Sequence, residues 1–180
     1  MIDLGTSPPS NSLLLSKDSQ QNHFPLRVFV CERCWLVQTE DFHSSLDLFD
    51  QNYPYLSGYS STWQSHCKIF VEKMINDFSL SSNSRIIEVA SNDGTLLDFF
   101  KQFGTDCLGV EPTPAAAEIA RRKGLEVNEN FLNLNLSEQI TRDFGKANLL
   151  IANNVLAHVP DINSFVKACA NLLVKDGIAS

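Results

Sequence analysis

Residues 86–100 read "IIEVASNDGTLLDFF", and this stretch decides the fold. The apolar, β-branched run from Ile86 has the composition of a buried strand. Ser91–Gly94 has the chemistry of a tight turn, and Thr95 onward opens a helix with apolar residues on one face. Nucleotide-binding folds place a glycine-rich loop between such a strand and helix. This turn has a single glycine, Gly94, beside Asn92 and Asp93. The local question is therefore which ligand suits a turn with one carboxylate at Glu88 and another at Asp93.

Working outward, strands are predicted over 85–90, 107–111, 125–127 and 147–152. Helices are predicted over 95–103, 114–123, 136–144 and 162–173. Gly104, Gly124 and Gly145 fall just past three of these helices, where a C-terminal cap favours a residue with positive φ. Strand alternating with helix implies right-handed crossovers and a parallel sheet covered on both faces, a doubly wound α/β domain. The segment "KDGIAS", 175–180, reads as the opening of a fifth strand. Before residue 80 the chain is turn-rich. It holds two short β-rich runs around a Cys-Glu-Arg-Cys knuckle, Cys31–Cys34, and a helix over 61–78 whose apolar residues recur at steps of three and four. The domain boundaries expected are 1–60 for an irregular N-terminal module, 61–84 for a connecting helix and linker, and 85–180 for the α/β core.

Composition narrows the function. Fourteen Lys and Arg against 21 Asp and Glu give a net charge of −7, which argues against broad binding to nucleic-acid phosphates. No apolar run approaches the roughly 20 residues of a membrane span, and no signal-peptide pattern opens the chain. Five cysteines without secretory context fit a reducing cytoplasm better than a disulfide framework.

In an open α/β sheet the ligand sits beyond the carboxyl ends of the strands. The register Glu88-Val89-Ala90-Ser91-Asn92-Asp93-Gly94 puts Ala90 and Asn92 where a dinucleotide site has two of its glycines, and Asp93 would repel a diphosphate. S-adenosylmethionine removes the conflict, because it has no phosphate and carries a sulfonium and an ammonium. Its ribose needs acceptors, and Glu111, followed by Pro112 at the tip of the second strand, lies 23 positions after Glu88. Each acid taken alone also reads as a solvated strand-end residue. Asn153 and Asn154 end the fourth strand, where uncharged carboxamides can line a cleft or cap a loop. His158 just beyond is either a structural histidine or a general acid/base, since its unperturbed pKa lies near 6.5.

The stretches "VASNDGTLL", "GVEPTPAAAEIARRKGLEV" and "ANNVLAHVPD" resemble the sugar C-methyltransferases that act on nucleotide-activated 4-keto-deoxyhexoses. "DLGTSPPSNSLL", "PLRVFVCERCWLVQ" and "YPYLSGYSSTWQSH" are similar to that family's N-terminal zinc module and the segment after it. The resemblance implies a Rossmann-like class I methyltransferase core that binds S-adenosylmethionine through Glu88, Ala90, Ser91, Asn92, Gly94, Glu111, Pro112, Asn153 and Asn154. It implies a nucleotide-sugar substrate methylated at carbon through an enolate, with Tyr55 and His158 as proton handlers or orienting groups. Tyr53, Ser57, Ser60 and Ser61 are further hydrogen-bonding candidates for the sugar. The family's zinc module has two Cys-x-x-Cys pairs, whereas this chain has only Cys31 and Cys34, half a site. His23, His43, His66 and Cys67 lack knuckle spacing to them. Asn130 and Asn148 stand where acids are expected near the adenine. Against the family pattern the chain is expected to be truncated at both ends, with an incomplete sheet and without the lobe that carries a further base. A non-catalytic remnant that binds the cofactor is the alternative reading, and an oligomer is left open.

Overall fold

The computed structural model describes residues 1–10, 13–14, 16, 18–42, 49 and 55–180. The chain divides into two compact units, Met1–Tyr55 and Leu56–Ser180.

The first unit is a small antiparallel sheet. Strands β1 (Ile2–Ser7), β2 (Phe24–Val30) and β3 (Val37–Thr39) lie in that order. The knuckle Cys31–Leu36 is the turn between β2 and β3. The sequence around Gly5 reads as irregular, yet Ile2–Ser7 forms a strand, because pairing with Phe24–Val28 supplies the hydrogen bonds that local propensity does not.

The second unit is a five-stranded parallel sheet with helices on both faces. It opens with a single 3-10 turn, Ser57–Tyr59, and helix α1 (Ser61–Asp77), which is capped where the Ser60 hydroxyl accepts the Trp63 amide. Strands β4 (Arg85–Val89), β5 (Asp106–Val110), β6 (Glu126–Asn128), β7 (Ala147–Ile151) and β8 (Leu173–Ala179) are arranged β6-β5-β4-β7-β8. The crossovers are α2 (Thr95–Gln102), α3 (Pro114–Arg122), α4 (Leu134–Asp143) and α5 (Ile162–Leu172). The fifth strand is longer than "KDGIAS" suggests. It begins directly after α5 and runs seven residues beside β7.

Alternation along β4 sorts the core into two layers. Ile86 points to one face and packs with Leu96, Leu97 and Phe100 of α2 and with Cys67, Val71 and Met74 of α1. The helix read as a connector therefore buries one stripe in the core of this unit. Ile87 and Val89 point to the other face, toward Leu136 and Ile140 of α4 and Phe165 and Leu172 of α5. Glu88 shares the face of Ile86, so a carboxylate occupies a position the pattern reserves for an apolar residue.

Gly109 lies opposite Glu88 in the β4–β5 ladder. A Cβ there would collide with the Ser91 hydroxyl and stand 3.1 Å from Ser91 Cβ and 3.4 Å from Leu97. The bare backbone lets the turn after β4 fold back over β5. Gly109→Ala is expected to destabilise the protein by about 1–3 kcal/mol, as overpacking does, and to lower its Tm in a thermal melt.

Candidate functional site

The sheet order reverses between β4 and β7. The chain steps outward from β4 through β5 to β6, then crosses to the far side of β4, which opens a crevice at the carboxyl ends of β4 and β7. Residues 90–94 form its floor. Three alternate positions here are left-handed: Ala90 at φ 55°, Asn92 at φ 52° and Gly94 at φ 72°. The backbone thus keeps the shape of a glycine-rich loop with only one glycine. Asn tolerates this conformation, whereas Ala90 bears a strain of about 1–2 kcal/mol. That strain is sustained by neighbours: the Ala90 and Ser91 amides both donate to Val110 O, at 2.8 and 3.4 Å, and Gly94 N donates to Ser91 O at 2.9 Å. Gly94 is obligatory, since a Cβ there would strike the Leu125 side chain and lie 2.9 Å from Ala120 Cβ. Ala90 itself is exposed to the crevice.

Three buried carboxylates surround this turn, and each is used differently. Glu111, 3% exposed, receives the Asn92 amide on Oε2 and the Thr113 amide on Oε1, both at 2.8 Å. It ties the loop after β4 to the loop after β5, while each oxygen retains a second lone pair. Pro112, between these contacts, is partly buried and has no amide of its own to place. Asp93, 4% exposed, is turned into the protein. It accepts from Ser57 Oγ (2.8 Å), Gly58 N (3.0 Å) and the Thr95 amide and hydroxyl (3.2 and 2.7 Å), with Lys123 Nζ at 3.6 Å. Burial pushes its carboxyl up, but the hydroxyls of Thr95 and Ser57, the Lys123 ammonium and the Gly58 amide together hold it below the ordinary 3.8. Asp93 is therefore a latch for the 57–58 segment rather than a charge presented to a ligand.

Glu88 is the exception. It is buried, and its Oε2 has no hydrogen-bond partner in the protein; neither has the buried Ser91 Oγ. Burial raises the Glu88 carboxyl well above the ordinary 4.5, and the nearby carboxylates of Glu111 and Asp93 raise it further. Two orphaned buried polar atoms and an excess of negative charge fit a cationic donor such as an ammonium.

The other side of the crevice is the end of β7. Asn153 is half-buried, and Asn154 is exposed with φ 56°. The 3-10 turn Leu156–His158 follows, with His158 exposed and its amide on Val155 O at 2.8 Å. Asp161 caps α5 by accepting Ser164 N at 3.0 Å.

Several expected roles are placed elsewhere by the structure. Ser57 donates to Asp93 and to Asn92 Oδ1 (3.3 Å), and Ser60 caps α1, so both hydroxyls serve the scaffold. Asn148 is not near an adenine position, because its Oδ1 accepts the Arg85 amide at the opening of β4, the end of the sheet away from the crevice. Asn130 is exposed and donates to Asn128 Oδ1 at 2.9 Å. Tyr55 is exposed and belongs to the first unit, while Tyr53 and His43 lie outside the described residues. Sequence reasoning missed the latch formed by Asp93 with Gly58; the only signal for it was a carboxylate two residues before Thr95, able to reach that residue's amide.

In the first unit, Cys31 N donates to Leu36 O and Trp35 N to Cys31 O, both at 2.9 Å, with Trp35 left-handed at φ 62°. The backbone amides of Cys34 and Arg33 and the Cys34 thiol point at the Cys31 sulfur and hold its thiol below the ordinary 9.0. That geometry suits a bound thiolate, but zinc takes four ligands. Among the described residues no group of three or more His, Cys, Asp or Glu side chains could hold a metal. Cys67 is wholly buried in the second unit's core, its thiol pushed up to about 11, and His66 stacks on Trp63 at 5.1 Å. The described residues of one chain therefore do not fit a complete zinc site. Cys107 and Cys169 are packed thiols, each pushed up to about 11 by burial.

Comparison with known proteins gives these features a setting. A family model for a methyltransferase domain matches residues 63–179, and one described as "Putative zinc binding domain" matches residues 1–49. The C-methyltransferase NovU of Streptomyces niveus is 28% identical over 180 residues, covering 99% of this chain and 43% of NovU. The SAM-bound structure of CalS10, an amino pentose methyltransferase of Micromonospora echinaspora involved in calicheamicin biosynthesis, superposes with a TM-score of 0.53 at 16% identity, over 68% of this chain and 51% of that one. DesVI of Streptomyces venezuelae gives 0.51 at 17% identity over the same shares. The fold is the class I methyltransferase fold, and the chain spans less than half the length of the curated relatives it matches. No described helix is long and apolar enough to cross a membrane.

Two substitutions test the strain and the charge. Ala90→Gly is expected to stabilise the protein by about 1 kcal/mol in urea, by relieving the left-handed alanine. Glu88 stays protonated in the folded state at pH values where the unfolded chain has ionised it. Its stabilising contribution is full below pH 4.5 and is lost as pH rises through its higher folded pKa. Glu88→Gln should therefore flatten that part of the stability–pH curve and raise the Tm at neutral pH; an unchanged slope would show that Glu88 is not held protonated.

Proposed function

This chain belongs to the methyltransferase-domain family, and we propose that it binds S-adenosylmethionine in the crevice above β4 and β7 to methylate a carbon of a nucleotide-linked keto-deoxysugar. The observation that carries the reading is the pair of orphaned buried atoms, Glu88 Oε2 and Ser91 Oγ, beneath a phosphate-free turn. When bound, S-adenosylmethionine supplies an electrophilic methyl group on a sulfonium.

The protein's own residues then divide the remaining work. Glu88 and Ser91 receive the cofactor's ammonium, which restores the missing hydrogen bonds and offsets the carboxylate charge. Ala90, Asn92 and Gly94 shape a tight left-handed loop, and the Asn92 carboxamide is turned to the Ser57 amide, so that the backbone can approach an adenosyl group. Glu111 offers its remaining lone pairs to the ribose hydroxyls while its amide contacts hold it still. Pro112 stiffens that corner, and Asn153 and Asn154 provide uncharged donors and acceptors on the opposite wall. His158, exposed beyond the β7 end, handles or orients the proton removed from the carbon beside the sugar ketone. Loss of that proton leaves an enolate whose carbon is the nucleophile. The support for carbon as the acceptor is the C-methyltransferase NovU, which matches along nearly the whole chain; the support for a sugar is the amino pentose methyltransferase with the same core fold.

Isothermal titration with S-adenosylmethionine and S-adenosylhomocysteine tests the cofactor site. Binding with a Kd of order micromolar is expected, weakened at least about tenfold (about 1.4 kcal/mol) by Glu88→Gln and by Glu111→Gln. Because Glu88 must ionise to hold an ammonium, binding should release a proton, read as a heat that varies with the buffer's ionisation enthalpy and disappears in Glu88→Gln. A folded protein that gives no heat with either compound would sink the proposal.

A further inference from the structure

Residues 56–60 open the second unit, and donors from this segment end on the turn after β4. The Ser57 amide donates to Asn92 Oδ1 at 2.8 Å, the Ser57 hydroxyl to Asp93 Oδ1 at 2.8 Å and the Gly58 amide to Asp93 Oδ2 at 3.0 Å. The segment is tied back as well, because Gly58 O accepts Gln64 Nε2 of α1 at 2.6 Å. Helix α1 is in turn anchored in the core by Cys67, Val71 and Met74. A Cβ at Gly58 would collide with Asp93 Oδ2 and stand 2.8 Å from Thr95 Oγ1, so the amide reaches the carboxylate only because the residue has no side chain.

Asn92 is the pivot of this arrangement. Its backbone is left-handed at φ 52°, its amide donates to Glu111 Oε2, and its side chain accepts from Ser57. Ala90, also left-handed at φ 55°, belongs to the same turn, whose shape local preference opposes. We infer that Asn92 and Asp93 are positioning residues for the cofactor: they grip the 56–60 segment as a clamp that holds the turn in the shape that receives S-adenosylmethionine. The inference rests on the reading of the crevice as a cofactor site. Neither side chain need touch the ligand. An unclamped turn is competent for only part of the time, and apparent affinity falls by that fraction. Linkage makes the effect reciprocal, so a ligand that selects the clamped turn firms the 56–60 segment by the same factor.

The experiment is isothermal titration of the whole chain with S-adenosylhomocysteine, beside hydrogen exchange of peptides covering 56–60 and 90–94. The variants are Asp93→Asn, which turns an NH2 toward the donors, Gly58→Ala, which wedges the carboxylate aside, and Ser57→Ala, each verified as folded by circular dichroism. Asp93→Asn and Gly58→Ala are expected to weaken binding about tenfold and, without ligand, to speed exchange in both peptides. Ser57→Ala combined with Asp93→Asn should weaken binding by less than the product of the two single effects, since both break one clamp. Ile140→Val, in the other core layer, should lower the Tm and leave Kd unchanged, which separates clamping from general loss of stability. In the parent chain, saturating ligand should slow exchange over 56–60. An unchanged Kd in folded Asp93→Asn and Gly58→Ala, or a bound ligand that leaves 56–60 exchange untouched, would overturn the inference. A parent chain that binds no ligand overturns the cofactor reading instead. The clamp is then judged by the ligand-free variants, and 90–94 exchange equal to the parent's rejects it.

Discussion

Two backbone amides, of Asn92 and Thr113, end on one buried carboxylate, and the geometry of the second unit's site depends on that pair of bonds. Strands β4 and β5 are already joined by their ladder, but the ladder stops at Val89 and Val110. Beyond it, the Ala90–Gly94 turn must hold left-handed residues that local preference opposes. Glu111 replaces the missing ladder by accepting one amide from each loop. Charge-assisted hydrogen bonds of this kind are roughly twice as strong as neutral ones, enough to sustain a strained alanine. One buried carboxylate thus shapes the floor of the crevice from both sides.

The other two acids show how neighbours assign roles to identical chemistry. Asp93 is surrounded by hydroxyls, amides and Lys123, so its charge is satisfied within the protein and is spent on anchoring Ser57 and Gly58. Glu88 sits on the apolar face of β4 with one oxygen unpartnered, so burial raises its carboxyl well above the ordinary 4.5. A buried acid of this kind lowers stability at neutral pH, and a cation reverses the deficit.

The first unit follows a different logic. It is a three-stranded sheet whose strands are mostly half-buried or exposed, and sheets this small rarely stand alone without a staple. Its cysteine turn is preformed by backbone hydrogen bonds rather than by packing, so the thiols are held in place while remaining accessible.

Periodicity alone determined the α/β alternation. Every strand and helix of the core lies within two or three residues of its expected range, because the 2.0 and 3.6 residue repeats are local properties of the chain. The phosphate-free character of the turn was equally legible, in Ala90 and Asn92 at glycine positions. Three things were not. The strand over Ile2–Ser7 exists only because a distant partner supplies its hydrogen bonds. Asn148 falls at the wrong end of the sheet for an adenine contact, which follows from where β7 begins beside Arg85. The division of labour among Glu88, Asp93 and Glu111 depends on which donors reach each carboxylate, from Gly58, Thr113 and Lys123. Sequence carries the identity of charged groups, but the dielectric and the hydrogen-bond partners that decide their use arise only when segments far apart in the chain are packed together.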